Sequence, residues 1–317
     1  MRNRTFAVIA FAIALVLIAL TRVIANDYFF SAVYTVLQFI VLATAWNILG
    51  GYTGYVNFGS AAFFAVGAYT TVFLNKSLHL PLPVLIVAGT IVAGLLGLGV
   101  GYLTLRMRGV FFAISTLALA VVLFTFVVNW DYVGGARGAY IIQPREAPLG
   151  FSRYGHLLYA TMVLMAAFAI VVARAIERSV IGRGLAAIRD DEVAAECAGV
   201  PTLRLKLFSA TVSGALMGMA GTTLPLYLSY VEPTAAFNLS YAVNSIAMPL
   251  IGGMMSWLGP LIGAVLLGTV QQVVQVTISS EWNLFIVGVL LVAFVTLAPN
   301  GIMGWVEAWR RSRPHPR

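Results

Sequence analysis

One short stretch of the chain holds a large share of the side chains that could make charged contacts. Eleven of the thirty Asp, Glu, Lys and Arg residues lie between Arg174 and Lys206, whereas the other 284 residues carry only nineteen. Acids and bases alternate here, which offers ion pairs and charge-assisted hydrogen bonds. We interpret residues 175–206 as a loop that docks onto a water-soluble protein, although a solvated connector without a partner would also explain the charges.

The centre of this charged segment has the spacing of a short amphipathic helix. Apolar residues recur near helical spacing from Arg183 to Ala198, and charged residues fill much of the remainder. A glycine and a proline, Gly199 and Pro201, then form a helix-stop signal. The sequence therefore predicts one cytoplasmic helix over 183–198, in which the only cysteine of the chain, Cys197, is a small buried residue.

A second group of polar residues lies in and after a glycine-rich stretch, residues 50–70, within an apolar region. Glycine lets a membrane helix break, and a break is tolerated where the freed backbone groups face protein or a watery cavity. Close packing of helices is the alternative explanation for the glycines. Further along, a Ser–Thr pair follows two arginines and could face a pathway or bond back to its own helix. The candidate residues for a polar pathway through the membrane are Asn57, Ser60, Thr70, Ser115, Thr116 and Asn244.

The chain carries no set of residues that could hydrolyse a nucleotide or hold a metal. Its two lysines, Lys76 and Lys206, stand outside any G-x-x-x-x-G-K-[ST] motif, and its three histidines have no metal-ligand spacing. We therefore expect no catalytic residue and no bound cofactor, so that any ATP and Mg²⁺ would be bound by partner subunits. The net charge of +8 comes from basic residues beside apolar spans rather than from a basic stripe interleaved with aromatics, which argues against nucleic-acid binding.

The elements that position these polar groups must be helices in a lipid bilayer. The composition is 61% hydrophobic and 9% charged, against about 25% charged in ordinary soluble domains. Apolar stretches of about 20 residues recur without the two-residue alternation of a β-barrel. We predict an all-α polytopic membrane protein, one transmembrane domain over 1–317, with about ten transmembrane helices and glycine-rich interrupted segments. The expected spans are about 6–24, 30–50, 54–75, 82–105, 109–128, 156–174, 207–229, 239–254, 256–276 and 282–299.

The distribution of basic residues predicts the orientation of the chain. With ten spans, both termini and the charged segment lie on one side, which then holds 14 of the 19 Lys and Arg residues. The positive-inside rule makes that side cytoplasmic. The first apolar stretch is interpreted as an uncleaved span, because no small-residue cleavage site follows it. Five acidic residues outside the charged segment fall in outer loops, and none is placed in the middle of the membrane, which weakens an ion-coupled mechanism. These five are Asp27, Asp131, Glu146, Glu232 and Glu281.

Five motifs follow one another along the chain from about residue 40 to residue 300. They are GYTGYVNFGSAAFFAVGAY (51–69), RGVFFAISTLA (108–118), GGARG (134–138), SVIGRGLAAIRDDEVAAECAG (179–199) and GGM (252–254) with GPLIGA (259–264). Taken together, they resemble the membrane permeases of bacterial branched-chain amino-acid ABC importers, in particular the M-type subunit. The chain departs from the usual pattern at Ser60, where relatives have His, at Met255, where a third Gly is usual, and at Asn244, where an acidic residue is common.

The resemblance implies a permease subunit of an ATP-driven importer that forms half of the translocation pathway for branched-chain amino acids. The implied partners are a homologous H-type permease, two cytoplasmic ATPase subunits and a periplasmic binding protein. The implied location is the bacterial inner membrane, with both termini in the cytoplasm. The segment from 182 to 199 would be the coupling helix that sits in a groove of the ATPase. Its coupling residues are expected to be Gly182, Arg183, Ile188, Arg189, Asp190, Glu192, Ala195, Glu196 and Gly199.

Other functions stay open at this point. Permeases related to this family handle urea, short amides or aromatic acids, and the motifs do not separate these substrates. A self-sufficient secondary transporter or channel is a different class, and it should show ion or voltage dependence when the single chain is assayed. A non-transporting membrane scaffold is a third class, and it need not be encoded beside ATPases and a binding protein.

Overall fold

Helices make up nearly all of the part of the chain that the computed structural model describes. Those residues are 3–22, 26–143, 151, 153–277, 285, 288–289, 291–294, 296 and 301–305. The helices with continuous described residues are α1 (Asn3–Ala19), α2 (Asp27–Thr53), α3 (Ser60–Leu78), α4 (Leu82–Thr104), α5 (Val110–Val128), α6 (Tyr154–Glu177), α7 (Val180–Asp190), α8 (Glu192–Cys197), α9 (Thr202–Gly221), α10 (Leu224–Leu228), α11 (Pro233–Ala236), α12 (Leu239–Gly252) and α13 (Leu258–Thr277). Two strands, β1 (Ala139–Tyr140) and β2 (Tyr230–Val231), pair antiparallel.

Seven helical segments in the described part of the chain are long and apolar enough to cross a membrane. They are Arg4–Arg22, Asp27–Thr53, Leu82–Thr104, Val110–Val128, Tyr154–Glu177, Thr202–Leu228 and Leu258–Val276. The structure is nearly all-helical, as predicted, whereas the predicted number of about ten transmembrane helices is not confirmed. Among the expected spans, α3 carries polar Asn75 and Lys76 near its end, and α12 has only 14 residues. The expected tenth span, 282–299, lies largely outside the described residues.

Local signals explain where α2 and α3 begin and end. The Asn26 side chain accepts hydrogen bonds from the first backbone N–H groups of α2, and Gly54 ends the helix in the left-handed conformation, at φ 78°. Residues 54–59 are not helical, so the predicted third span starts six residues too early, at 54 instead of Ser60. The glycine-rich stretch therefore contains a non-helical segment between α2 and α3. The Trp46 indole donates to the carbonyl of Asn57 in this segment, at 2.8 Å.

Glycines bring α3, α4 and α9 into backbone contact. A Cβ added at Gly221 of α9 would lie 1.9 Å from the Phe64 carbonyl oxygen of α3, and one at Gly67 of α3 would lie 2.0 Å from the Gly218 carbonyl oxygen. Gly97 of α4 faces α9 in the same way. Such small-residue interfaces allow close van der Waals packing in lipid, where no hydrophobic effect drives helices together. The three helices form a tightly packed block, and α4 and α9 share its most extensive interface.

The helices α12 and α13 cross at a second glycine contact. A Cβ at Gly252, at the end of α12, would lie 1.7 Å from the Gly259 carbonyl oxygen of α13. Met248 approaches Gly263 equally closely one turn away. The short connection between the two helices is thus a tight turn, as the Gly/Pro pattern of this region predicts.

The charged segment forms two helices, so the prediction of one helix over 183–198 was wrong. The helix α7 ends at Asp190, and the next residue, Asp191, is extended, with φ −158° and ψ 111°. The Asp191 carboxylate accepts hydrogen bonds from the N–H groups of Val193 and Ala194, so it caps α8 instead of continuing α7. The prediction for Cys197 was also wrong, because this residue at the end of α8 is exposed.

Candidate functional site

A cavity of about 590 Å³ opens between α2, α10, α12 and α13. Its lining residues are Tyr28, Ser31, Ala32, Thr35, Gln38, Phe39, Leu224, Tyr227, Leu228, Ala235, Asn238, Ser240, Tyr241, Asn244, Gln271, Gln272 and Gln275. Twelve of these seventeen residues carry a hydroxyl or amide group, and none carries a formal charge. Polar groups are rare inside membrane domains, and where they occur they usually face the interior of the bundle or a water-filled path. The cavity is therefore the best candidate for a route through this bundle.

Three amide side chains at the wall of this cavity are almost completely buried. Gln38 is 3% exposed, Gln271 5% and Asn244 7%. The Gln271 Nε2 donates to the Asn244 Oδ1 at 2.8 Å, which pairs α13 with α12. The Gln38 Nε2 has no hydrogen-bond partner among the described residues. An amide donor in this position is costly unless water or a solute satisfies it.

Of the six predicted pathway residues, Asn244 alone lines this cavity. Asn57, Ser60 and Thr116 are buried elsewhere, around the break between α2 and α3. There the Asn57 Oδ1 accepts from the Gly59 N–H at 2.7 Å, and the Thr116 Oγ1 accepts from the Phe58 N–H at 3.1 Å. The Ser60 hydroxyl donates to the Asn57 carbonyl at 3.4 Å and accepts from the Ser245 hydroxyl at 2.9 Å. These three side chains thus hold the glycine-rich loop in place.

The other predicted polar residues bond to their own helices. The Thr70 hydroxyl donates to the Val66 carbonyl at 2.7 Å, and the Ser115 hydroxyl donates to the Phe111 carbonyl at 2.8 Å. Thr70 does line a different, almost wholly apolar cavity of about 680 Å³ between α3, α4 and α5. Bonding back to the preceding turn is the ordinary behaviour of Ser and Thr in helices.

Sequence reasoning missed the glutamines, which supply most of the buried amides in the cavity. Gln271, Gln272 and Gln275 fall within five residues of an otherwise apolar helix. At this spacing the first and third lie on the same helix face. Three amides so close together in a membrane helix were a usable signal, since single polar residues there are already uncommon.

The predicted coupling residues divide between the two faces of α7 and α8. The buried members are Gly182, Ile188 and Ala195. The partly buried members are Arg189 and Glu192. The exposed members are Arg183, Asp190, Glu196 and Gly199. A Cβ at Gly182 would lie 2.3 Å from the Ile176 carbonyl oxygen, so this glycine packs against the end of α6 and is not free to touch another protein.

Glu192, which is partly buried, is the centre of an ionic cluster. Its carboxylate accepts from the Lys206 ammonium at 2.6 Å and from the Tyr55 hydroxyl at 2.6 Å, and the Arg108 guanidinium lies 3.5 Å away. Lys206 also donates to the Leu105 carbonyl at 3.1 Å. The cluster joins α8 to the glycine-rich loop, to the α4–α5 turn and to α9.

The environment of this cluster keeps Glu192 ionised. Burial alone would raise the pKa of the Glu192 carboxyl, but the hydrogen bonds from Lys206 and Tyr55 and the charges of Lys206 and Arg108 lower that pKa below its ordinary value. Burial, together with the neighbouring carboxylate, raises the pKa of the Tyr55 hydroxyl well above its ordinary value. At neutral pH the phenol is therefore a donor and the carboxylate an acceptor.

A second carboxylate ties the other end of the charged segment to α2. Glu177, the last residue of α6, accepts from the Trp257 backbone N–H at 2.6 Å. The single Tyr52 hydroxyl hydrogen is shared between the Glu177 carboxylate, at 3.4 Å, and the Ala173 carbonyl, at 3.3 Å. Two tyrosines three residues apart therefore contact two carboxylates on either side of α7. Tyr52 contacts Glu177, which precedes α7, and Tyr55 contacts Glu192, which follows it. We call Tyr52, Tyr55, Glu177 and Glu192 the latch.

The helix α2 connects the latch to the cavity. Tyr52 lies near its C-terminal end, and Ser31, Thr35 and Gln38 line the cavity from its N-terminal half. From Gln38 to Tyr52 the helix rises about 20 Å. One continuous helix therefore extends from the latch to the cavity.

The chain is similar to known membrane permeases over most of its length. The sequence profile of the family described as "Branched-chain amino acid transport system / permease component" matches residues 28–295. The chain is 27% identical over 289 residues to the high-affinity branched-chain amino acid transport system permease protein LivM of Escherichia coli (strain K12), covering 84% of this chain and 67% of that protein.

Two further relatives match the chain at lower identity or over a shorter alignment. The chain is 26% identical over 271 residues to the probable branched-chain amino acid transport permease protein LivH of Methanocaldococcus jannaschii, covering 80% of this chain and 84% of that protein. It is 30% identical over 126 residues to the ribose import permease protein RbsC of Haemophilus influenzae, covering 38% of each. No solved structure matches the chain at a significant level.

Proposed function

This chain belongs to the family of branched-chain amino acid transport system permease components, and on that premise we propose that it forms half of the translocation pathway of an ATP-driven importer. The family description and the name of the relative LivM both refer to branched-chain amino acids, and we take these as the substrates. The observation that supports a pathway is the cavity with twelve polar lining residues in an otherwise apolar helical bundle. The chain acts as one transmembrane permease domain over 1–317, a multi-pass protein of the bacterial inner membrane.

The assembled importer has further subunits. A homologous H-type permease supplies the other half of the pore, two cytoplasmic ATPases bind ATP and Mg²⁺, and a periplasmic binding protein delivers the solute. The termini and the charged segment face the cytoplasm, since most Lys and Arg residues then lie on that side. In this orientation the cavity, at the opposite end of α2 from the latch, opens toward the periplasm.

The charged segment, residues 175–206, transmits the ATPase movement. Its exposed side chains, such as Arg183, Asp190 and Glu196, are the surface that the ATPase touches. Its buried members, such as Ile188 and Ala195, pack on the bundle and keep that surface in position. Closure of the ATPases would tilt α7 and α8, and the latch would pass the tilt to α2.

Co-purification tests the assembly. Tagged chain is isolated from native membranes in mild detergent, and the accompanying proteins are identified by mass spectrometry. Two ATPase subunits and a second permease are expected. A chain that is isolated alone, and that moves leucine into liposomes without an ATPase, would show a self-sufficient transporter instead.

Surface substitutions test the role of the charged segment. We expect Arg183→Ala combined with Glu196→Gln to lower ATP-dependent uptake while the amount of chain in the membrane is unchanged. Both residues are exposed, and the glutamine oxygen still accepts the hydrogen bond that the Thr202 hydroxyl donates to Glu196 at 2.6 Å. Arg106→Ala is the matched control, since this exposed arginine lies in the α4–α5 turn and stacks on Tyr102. Equal uptake by the double variant and the control would contradict the assignment.

A further inference from the structure

The cavity between α3, α4 and α5 is lined almost entirely by hydrocarbon side chains. Its volume is about 680 Å³, and of the thirteen described residues that line it only Tyr69, Thr70 and Trp130 carry a polar side-chain atom. The Thr70 hydroxyl already donates to the Val66 carbonyl at 2.7 Å. A wall of this kind offers van der Waals contact but almost no hydrogen bonds, so it suits a hydrocarbon and disfavours a hydrophilic solute.

The cavity exists because α5 packs loosely on the rest of the bundle. Only three of its nineteen residues are buried, namely Phe112, Thr116 and Val127. The cavity lies between the C-terminal half of α5, where Leu123 and Phe126 line it, and the helices α3 and α4. An apolar filling at this place would occupy the space that separates α5 from the tightly packed block of α3, α4 and α9.

One end of the cavity lies at the edge of the membrane. Trp130, just beyond the end of α5, lines the cavity, and the Phe73 ring lies 5.5 Å from the Trp130 ring and 5.2 Å from the Tyr132 ring. Trp and Tyr concentrate at the membrane–water interface. Lys76 follows Phe73 by one turn of α3, and its ammonium donates to the Tyr132 carbonyl at 2.8 Å. This end of the cavity is therefore at the level of the lipid head groups.

From that end the cavity extends about as far as one leaflet of the bilayer. On α4 its lining runs from Ala88 to Leu96, which is about 12 Å along the helix. Leu96 lies about 21 Å from Leu82, where α4 begins. One leaflet contributes about 15 Å of hydrocarbon, half of the membrane core. The cavity thus has the depth and the chemistry of a single hydrocarbon chain whose polar head stays at the interface.

We infer that this cavity binds an acyl chain of a phospholipid whose phosphate lies beside Lys76. An ammonium carries three donors, and Lys76 uses one of them on the Tyr132 carbonyl, so it retains donors for a phosphate. A chain that moves from bulk lipid into the cavity gains no hydrophobic energy, since both surroundings are apolar. Binding therefore comes from close packing along the cavity and from the contact of the head group.

Titration of the full chain with phosphatidylethanolamine, followed by native mass spectrometry in detergent, tests the site. Ala88→Phe places a ring in the cavity and should retain several-fold less phospholipid than the unmodified chain. Ala118→Phe is the matched control, because Ala118 is exposed on α5 and does not line the cavity. Lys76→Gln still donates to the Tyr132 carbonyl but lacks the charge, and it should lower the affinity about ten-fold, the value of one charge-assisted hydrogen bond.

Photo-crosslinking locates the bound chain without any substitution, so it does not depend on the folding of Ala88→Phe. A phosphatidylethanolamine with a diazirine midway along one acyl chain is incorporated into membranes that contain the unmodified protein. Detergent exchange removes loosely held lipid before irradiation. We expect adducts on Leu96 and Leu123, which line the cavity, and none on Ile114, which is 58% exposed on α5.

Three results would overturn the inference. The first is equal phospholipid binding by the unmodified chain and by folded Ala88→Phe, with folding judged by unfolding in SDS. The second is crosslinking that is absent from the cavity or confined to exposed positions such as Ile114. The third is lipid on the isolated chain but not on an assembled complex, which would show that a helix of a partner fills the cavity. None of these readouts requires transport, so the proposed function is tested separately.

Discussion

The ion pair between Lys206 and Glu192 allows a quantitative test of how the charged segment is held. Lys206 is 4% exposed as a residue, and the Glu192 side chain is 12% exposed. Lys206→Met keeps the length and apolar stem of the lysine but removes its ammonium. The carboxylate is then left with the Tyr55 hydroxyl and with Arg108, whose side chain is 57% exposed and therefore screened by solvent.

The expected cost follows from the burial of the remaining charge. Removing one partner of a buried ion pair typically destabilises by about 3–5 kcal/mol, and the remaining contacts of Glu192 favour the lower end of that range. Replacing both charges, as in Lys206→Met with Glu192→Leu, removes the stranded charge. The double variant should then lose only about 1 kcal/mol, mainly because the Tyr55 hydroxyl loses its acceptor. The coupling energy between the two sites would therefore be about 2 kcal/mol or more.

Unfolding in mixed micelles of increasing SDS fraction measures these free energies. The two single variants and the double variant complete a double-mutant cycle. If the double variant loses the sum of the two single losses, Lys206 and Glu192 are not coupled and the geometry of the cluster is wrong. Transport gives a separate readout, since the double variant regains stability yet lacks the Tyr55–Glu192 hydrogen bond of the latch. We expect its uptake to stay low.

Four further predictions concern pH and packing. Because the pKa of Glu192 lies below its ordinary value of 4.5, its stabilising contribution is fully present above that value and is lost as the pH falls through the lowered pKa. The thermal unfolding temperature should therefore show no pH dependence from this pair between about pH 5 and 8, and it should fall at more acidic pH. Gly252→Ala should destabilise by about 1–3 kcal/mol or more, because its Cβ would lie 1.7 Å from a carbonyl oxygen. A Cβ added at Gly99 would have no atom within 4 Å, so Gly99→Ala should leave the free energy of unfolding unchanged or raise it slightly in the SDS unfolding assay. Arg174→Lys should lose about 1 kcal/mol in that assay, since the planar guanidinium stacks 3.7 Å from the Phe6 ring and lysine cannot replace this contact.

Strong local signals made parts of the fold predictable. The predicted span 82–105 agrees with α4, Leu82–Thr104, because an apolar run lies between a proline and a pair of arginines. The break in α7–α8 was missed because Asp191 follows a helical pattern, and only its extended backbone shows that it caps a new helix. An aspartate in such a run is compatible with either structure until the packing of the flanking residues is known.

The cavity was harder to predict than the charged segment. Polarity identified Asn244, but it also selected Thr70 and Ser115, whose hydroxyls are satisfied by their own helices. The missing information was tertiary, since Gln38 and Gln271 are 233 positions apart and meet the same cavity only after α2 and α13 pack together. Charge clustering in the sequence, in contrast, needs no tertiary structure to be recognised.

The glycine-lined interface between α4 and α9 also has a consequence for biogenesis. A membrane chain is inserted in order, so α3 and α4 enter the bilayer while α5 to α8 are still to be made. During that interval Gly67 and Gly97 lie in shallow grooves that only lipid can fill, because the backbone they contact belongs to α9. The block formed by α3, α4 and α9 is thus incomplete until residue 221 has been inserted.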